Sequence, residues 1–221
     1  MLKTRLKACL DFIAPYRILY DVGTDHAYLP IMALKTHTID KAYAIDNKKG
    51  PLEGAQDHIQ RHGYNKKITL IQSEGITNLP SDVDVVVIAG LGGKTIYEIL
   101  NQKALRNVKR VITQPNVNSE KVRELTKDNA LKIVDETLVI EDGLFYQIIV
   151  FEHGKQVLTE KELTFGPILL KTETQAMRMM LEDDAKHCED VINQIPLKVH
   201  KKPHQSRLKM IKEVLHGWQN N

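Results

Sequence analysis

Four stretches in the first two-fifths of the chain place acids or glycines just after apolar runs: Asp21-Val22-Gly23, Asp46, Glu74-Gly75 and Gly90-Leu91-Gly92-Gly93. Carboxylates accept hydrogen bonds from hydroxyl and amino groups, and glycine lets a ligand approach the backbone. Asp46 stands 25 residues after Asp21, close to where a ribose-binding acid follows the first strand of a nucleotide fold. Asp46 can take both ribose hydroxyls, and Glu74 can accept from an adenine amino group. Asp21 and Gly23 suit a cationic, amino-acid-like tail. No Gly-x-Gly-x-x-Gly occurs, which argues against a pyrophosphate dinucleotide, and no Gly-x-x-x-x-Gly-Lys-Ser/Thr occurs, which excludes a P-loop.

These residues meet only if the runs before them are parallel strands that end on one sheet edge. The pattern predicts strands at 17–22, 39–45, 67–72, 83–89 and 108–113, with helices between them. The run 83–89 is nearly all apolar, as a strand buried on both faces should be. The intervening helices are expected to open at Tyr28 (with Pro30 in the first turn), to run from about Pro51 to His62, to run from the glycines at 90–93 to about Leu105, and to span 118–129. Strands at 132–140 and 144–152 then follow with only Glu141-Asp142-Gly143 between them, so they pair as an antiparallel hairpin. A sheet of seven strands closed by such a hairpin resembles that of S-adenosylmethionine methyltransferases in topology. The expected fold is α/β, a Rossmann-like domain over residues 1–154 with a mostly parallel sheet. A helical segment covers 155–221.

Residues 2–13 read as an amphipathic helix whose basic face either touches nucleic acid or is solvated, and Pro15 ends it. In the C-terminal segment, apolar residues at three-, four- and seven-residue spacings over 160–195 and 205–218 predict two helices in a coiled-coil-like hairpin. Pro196 and Pro203 bracket the gap, and Met177, Met179 and Met180 are read as core. The segment holds eleven Lys and Arg against nine Asp and Glu. Lys198, Lys201, Lys202 and Arg207 nevertheless cluster without an acid before Glu213, either as a nucleic-acid contact surface or as a solvated helix end.

The whole chain of 221 residues has net charge +3, which permits an anionic partner without demanding one. Cys9 and Cys188 lie far apart, without metal or redox spacing, and suit a reducing cytoplasm. No apolar run approaches the length of a membrane span, and no His/Cys cluster suggests a metal.

Asp-Val-Gly-Thr-Asp-His-Ala-Tyr-Leu-Pro (21–30), Gly50-Pro51, Ile-Ala-Gly-Leu-Gly-Gly (88–93), Gln-Pro-Asn (114–116) and Phe-Gly-Pro (165–167) resemble the bacterial tRNA (adenine-22-N1)-methyltransferase family, the TrmK type. The resemblance covers nearly the whole chain. It implies an S-adenosylmethionine-dependent Rossmann-like domain with a C-terminal coiled coil, methylating N1 of an adenine in the tRNA D-loop region. Its cofactor contacts fall on Asp21, Gly23, Asp46, Glu74 and Gly75, with Ala89 and Gly90 lining the pocket. Thr24, His26 and Asn47 complete the candidate cofactor set, His26 as a pocket wall. The general methyltransferase turn has later glycines where this chain has Asp25 and Ala27. Glu74 replaces the family's usual Asp and Leu91 its usual Met.

Neutral adenine N1 has a free lone pair, so the chemistry is mostly positioning and electrostatics. Asp25 is the candidate acceptor for the exocyclic amine, unless it caps the following helix. Tyr28, Tyr146 and Pro115 are candidates to stack on the base, unless Tyr28 is core. Asn116 either holds a base edge or caps the helix near 118. The expected protein is a monomeric, cytoplasmic enzyme acting on tRNA without a metal. The alternatives are a methyltransferase for another nucleic acid or a small molecule, and a non-enzymatic RNA-binding module on the same fold.

Overall fold

The apolar runs form one seven-stranded sheet, seen in a computed structural model that describes residues 2–101, 105–128, 130–195 and 198–219, the side chains of Asp128, Lys198 and Val199 excepted. Its strands are β1 (Ile18–Val22), β2 (Lys41–Asp46), β3 (Ile68–Gln72), β4 (Val85–Leu91), β5 (Arg110–Pro115), β6 (Leu131–Glu141) and β7 (Leu144–His153). Their order is β3-β2-β1-β4-β5-β7-β6. The first five run parallel, and β7 pairs antiparallel with both β5 and β6. Asp142 (φ 52°) and Gly143 (φ 75°) are both left-handed in the β6–β7 turn, the backbone that a two-residue hairpin loop requires.

The connecting helices are α1 (Thr4–Asp11), α2 (Tyr28–Lys35), α3 (Lys49–Arg61), α4 (Gly93–Leu100), α5 (Ser119–Arg123) and α6 (Leu125–Asp128). Residues of α2 and α3 share one core cluster, and α4 and α5 pack against each other. Cys9, Leu10 and Ile13 around α1 join Ile31 and Leu34 of α2 and Ile59 of α3 in one core cluster. Val85, Val86, Val87 and Ile88 are all fully buried, as the apolar run of β4 demands. The chain leaves β1 for β2 on one side and starts β4 on the other, so a crevice opens beyond the carboxyl ends of β1 and β4.

Several boundaries differ from expectation; β2, β4 and β5 each begin two residues later than predicted, and β5 takes in Pro115. β4 runs on through Gly90 to Leu91, with a register shift against β5 between Ala89 and Leu91. The helix expected to reach about residue 105 ends at Leu100, and 102–104 lie outside the described residues. The helix expected over 118–129 is two short pieces, with Asn129 outside the description. Arg123, at the end of α5, donates through Nε to Glu136 Oε1 of β6 at 2.8 Å, both side chains fully buried.

The chain divides into two compact units, Met1–Thr159 and Glu160–Asn221. The second contains α7 (Glu160–Phe165), α8 (Leu169–Thr172), α9 (Gln175–Gln194) and α10 (Lys198–Gln219), with α9 and α10 packed together. The long first helix expected from residue 160 is instead three pieces. It is interrupted at Gly166-Pro167, where Gly166 has φ 98°, and at Glu173, with φ 43°. Thr174 then caps α9 by accepting from Met177 N at 3.2 Å. The second helix begins seven residues earlier than expected, at Lys198 rather than 205, and Pro203 lies inside it. A proline this close to a helix start forfeits one backbone hydrogen bond, and the helix carries it. Pro196 lies outside the described residues. Met177 is fully buried, but Met179 is 45% exposed, so the methionine group is not wholly core. Among the described residues no helix is long and apolar enough to cross a membrane.

Candidate active site

The strand ends that carry acids converge as the parallel sheet requires. Beyond β1, β2 and β3 lies a cavity of about 530 Å³, lined by Gly23, Asp25, Asp46, Asn47, Glu74 and Gly75 among others. Asp46 ends β2, and its Oδ1 accepts from Lys48 N at 2.9 Å, which points the carboxylate back over its own loop. Gly75 has φ 60°, and a Cβ there would meet Ile99 Cγ2 at 2.8 Å, so the loop after β3 lies directly on α4. Tyr20 Oη donates to Gly75 O at 3.3 Å and pins that loop from beneath. Thr95, Glu98 and Ile99 complete the wall from α4. Sequence reading missed these three; their only signal was helical spacing after a glycine-rich turn.

A second cavity of about 220 Å³ adjoins the first. The two share Gly23, Asp25 and Leu91. Asp21, Thr24, Tyr28, Ala89 and Gly90 line the smaller one, together with Arg5 and Leu6 of α1. The turn between them is tightly made. Gly23 (φ 73°) and Thr24 donate from their backbone N–H groups to Ile45 O at 2.8 and 2.9 Å, and Asp25 and Ala27 both adopt positive φ. Ala27 holds the N-cap position of α2 with no side-chain cap, so the carboxylate of Asp25 does not cap the helix. It stays largely exposed, 3.7 Å from His26 Nε2.

Asp21 is the buried charge of the site. Thr24 Oγ1 donates to its Oδ2 at 2.7 Å. Burial still pushes its pKa up to about 7 against that hydrogen bond. A cation arriving in the cavity would restore the ionised form. Arg5 is the missed functional residue here, because its helix reads only as an amphipathic surface element. Its Nη1 lies 3.4 Å from Glu141 Oε2, and its guanidinium sits over the Tyr146 ring at 4.9 Å. Its Nε is buried and has no hydrogen-bond partner among the described residues, a donor beside the cavity.

Several candidates take other roles than expected. Asn116 Nδ2 donates to Gly90 O at 2.7 Å, and its Oδ1 accepts from Gln114 Nε2 at 3.3 Å. Its amide therefore holds the β4 bulge and positions the cavity wall, and the N-cap position of α5 belongs to Asn118 instead. Pro115 is buried within β5, out of reach of a stacking base. Tyr146 has the Arg5 guanidinium over its ring and supports the wall. His26 lines neither cavity and lies exposed on the surface. In the second unit, Arg207 is committed to Asp184, with Nε at 2.8 Å from Oδ2 and 3.1 Å from Oδ1, so it belongs to helix pairing. Lys201 and Lys202 lie in the first turns of α10, and the side chain of Lys198 lies outside the described residues.

The arrangement fits S-adenosylmethionine. A cavity of this size takes a nucleoside, Asp46 and Glu74 suit its ribose and adenine, and the buried Asp21, which lines the smaller cavity two residues before the shared Gly23, suits its cationic end. Strand order, the reversed β7 and acids at the ends of β1, β2 and the loop after β3 define a Rossmann-like methyltransferase. The family model TrmK, tRNA (adenine(22)-N(1))-methyltransferase, matches residues 19–219, and the chain belongs to that family. The tRNA (adenine(22)-N(1))-methyltransferase of Bacillus subtilis is 28% identical, over 98% of each chain. A solved structure of the Streptococcus pneumoniae protein Sp1610 in complex with S-adenosyl-L-methionine is 33% identical. It covers 98% of this chain and 100% of that one, with a TM-score of 0.91. M. capricolum TrmK in complex with S-adenosyl-homocysteine is 27% identical over 96% of this chain and 97% of that one, with a TM-score of 0.88.

Proposed function

We infer that this protein transfers a methyl group from S-adenosylmethionine to N1 of adenine 22 in tRNA, with cofactor in the larger cavity and target base in the smaller. The observation that carries this reading is the shared wall of Gly23, Asp25 and Leu91, which brings the two cavities together over the end of β1. When bound, the cofactor supplies an electrophilic methyl on a sulfonium. Asp46 takes the ribose hydroxyls and Glu74 the adenine amine, while Asp21, from the smaller cavity beside the shared Gly23, faces the cationic end where the two cavities meet.

The target N1 attacks with its lone pair, so no proton has to be removed first. The new N–C bond forms as the S–C bond breaks, its electron pair stays on sulfur, and the positive charge passes to the adenine ring. Asp25 accepts from the exocyclic amine and stabilises that charge. Tyr28, 48% exposed at the smaller cavity, stacks on the incoming base, and Arg5 supplies a donor to its edge. Asn116 acts through Gly90 as a positioning residue.

The free thiols of Cys9 and Cys188 support a reducing cytoplasm. Lys201 and Lys202 support a tRNA-binding role for the helical unit. The decisive experiment incubates the protein with S-adenosylmethionine and bulk tRNA and maps methylation by mass spectrometry. N1-methyladenosine at position 22 is the expected product. A methyl group at another position or on another base refutes the assignment, and an unmodified tRNA pool refutes the activity.

A further inference from the structure

A row of four aromatic rings leads away from the smaller cavity. Tyr28 lines that cavity. Its ring faces His26 at 5.5 Å between centroids and His58 of α3 at 4.9 Å, and His58 faces His62 at 4.5 Å, nearly edge-on. The row is built by the chain. His58 on α3 and His62 at its C-cap stand four apart, on one helix face. His58 Nδ1 lies 2.8 Å from the backbone carbonyl of His26, which ties α3 to the turn after β1. Gly54, one turn earlier on α3, leaves room for the His26 ring: a Cβ there would lie 2.9 Å from His26 Nδ1. His26, Tyr28 and His62 are exposed and His58 is half-buried, so core packing does not account for the row. Three histidines could instead suggest a metal, but among the described residues no group of three His, Cys, Asp or Glu could hold one.

We propose that this His26–Tyr28–His58–His62 row is a stacking platform for the unpaired nucleotides that flank the target adenine. The inference rests on the tRNA methyltransferase reading. A target base drawn out of a folded RNA into the smaller cavity pulls its neighbours across the cavity mouth, where Tyr28 stands. Bases stack on aromatic side chains with little regard to sequence.

The test compares methyl transfer to tRNA by the wild type with that by His62→Ala, by the His58→Ala/His62→Ala pair, and by the matching phenylalanine variants. Loss of a stacked base is expected to raise KM for tRNA about five- to tenfold in the alanine pair. The change in kcat should be smaller and the affinity for S-adenosylmethionine should stay the same. Phenylalanine keeps the stacking face and should hold KM near that of the wild type. His62→Ala carries the test by itself at an exposed helix end, away from the His58–His26 contact. An unchanged KM in the alanine variants overturns the platform. So does an equal rise in the phenylalanine variants, because charge or hydrogen bonding would then be responsible. Failure of the wild type to methylate tRNA at all would overturn the underlying reading instead, so the two failures are distinguishable.

Discussion

The two adjoining cavities are assembled in different ways. The larger is made mainly from the carboxyl ends of three parallel strands and the loops that follow them, closed by one face of α4. The smaller takes the turn after β1, the bulged end of β4, and two residues of a helix that precedes the sheet. A parallel sheet delivers its strand ends to one edge by construction, so the first kind of site follows from local pattern. The second depends on where α1 packs, and α1 touches β4, β5, β6, β7 and α2 through non-local contacts. On the proposed assignment, most of the cofactor pocket sits on the part of the fold that topology dictates, and the acceptor pocket on the part that packing dictates.

Substitutions confined to one cavity separate the two roles. The largest effect belongs to Asp46, which lines only the larger cavity. Asp46→Ala removes charged hydrogen bonds to the cofactor ribose and should weaken S-adenosylmethionine about 100-fold in calorimetry, leaving tRNA binding intact. Unchanged cofactor affinity would remove Asp46 from the site. Arg5 lines only the smaller cavity. Arg5→Ala should lower kcat/KM for tRNA about tenfold to thirtyfold with cofactor affinity within about twofold. A variant whose cofactor affinity fell as far as its turnover would show that the cavities do not divide as described. Thermal melting in parallel reports the cost of losing its contacts with Glu141 and Tyr146.

The smallest effect is a pH dependence at Asp21, in the wall of the smaller cavity. Burial raises the pKa of Asp21 to about 7. The raised value means that Asp21 favours the fold while protonated, and that this contribution is lost as pH rises from the ordinary carboxylate range through about 7. A cationic cofactor reverses the preference, since it binds the ionised carboxylate. Below about pH 7 a proton must leave as the cofactor binds, so its Kd should rise about five- to tenfold from pH 8 to pH 6. Asp21→Asn should flatten that step. A step that persists in the variant would assign the titration to another group.

Much of this was legible in the chain. The β1 turn, Asp46, Glu74-Gly75 and the glycines after β4 announce themselves because short-range pattern and parallel topology are enough to place them. The hairpin of β6 and β7 is equally plain from Asp142-Gly143 and the missing helix. The neighbours of Asn116, Pro115 and Tyr146 were not legible. A side chain at a strand end reads alike whether it faces a ligand or grips a carbonyl, and only the bulge at Gly90 shows that Asn116 is already engaged. Arg207 reads as part of a basic cluster until the pairing of α9 with α10 sets it against Asp184.

By itself, then, the sequence determined the strand–helix alternation, the acids at the strand ends, the terminal hairpin and the family. These depend on local periodicity, turn chemistry and the shared direction of parallel strands. Only the tertiary structure decided that Arg5 and Leu6 wall the acceptor cavity, that His26 faces outward, and that His58 and His62 extend the row begun by Tyr28. Those facts depend on which helix faces pack together, and residues more than 25 positions apart meet there without leaving a mark on the pattern of either segment.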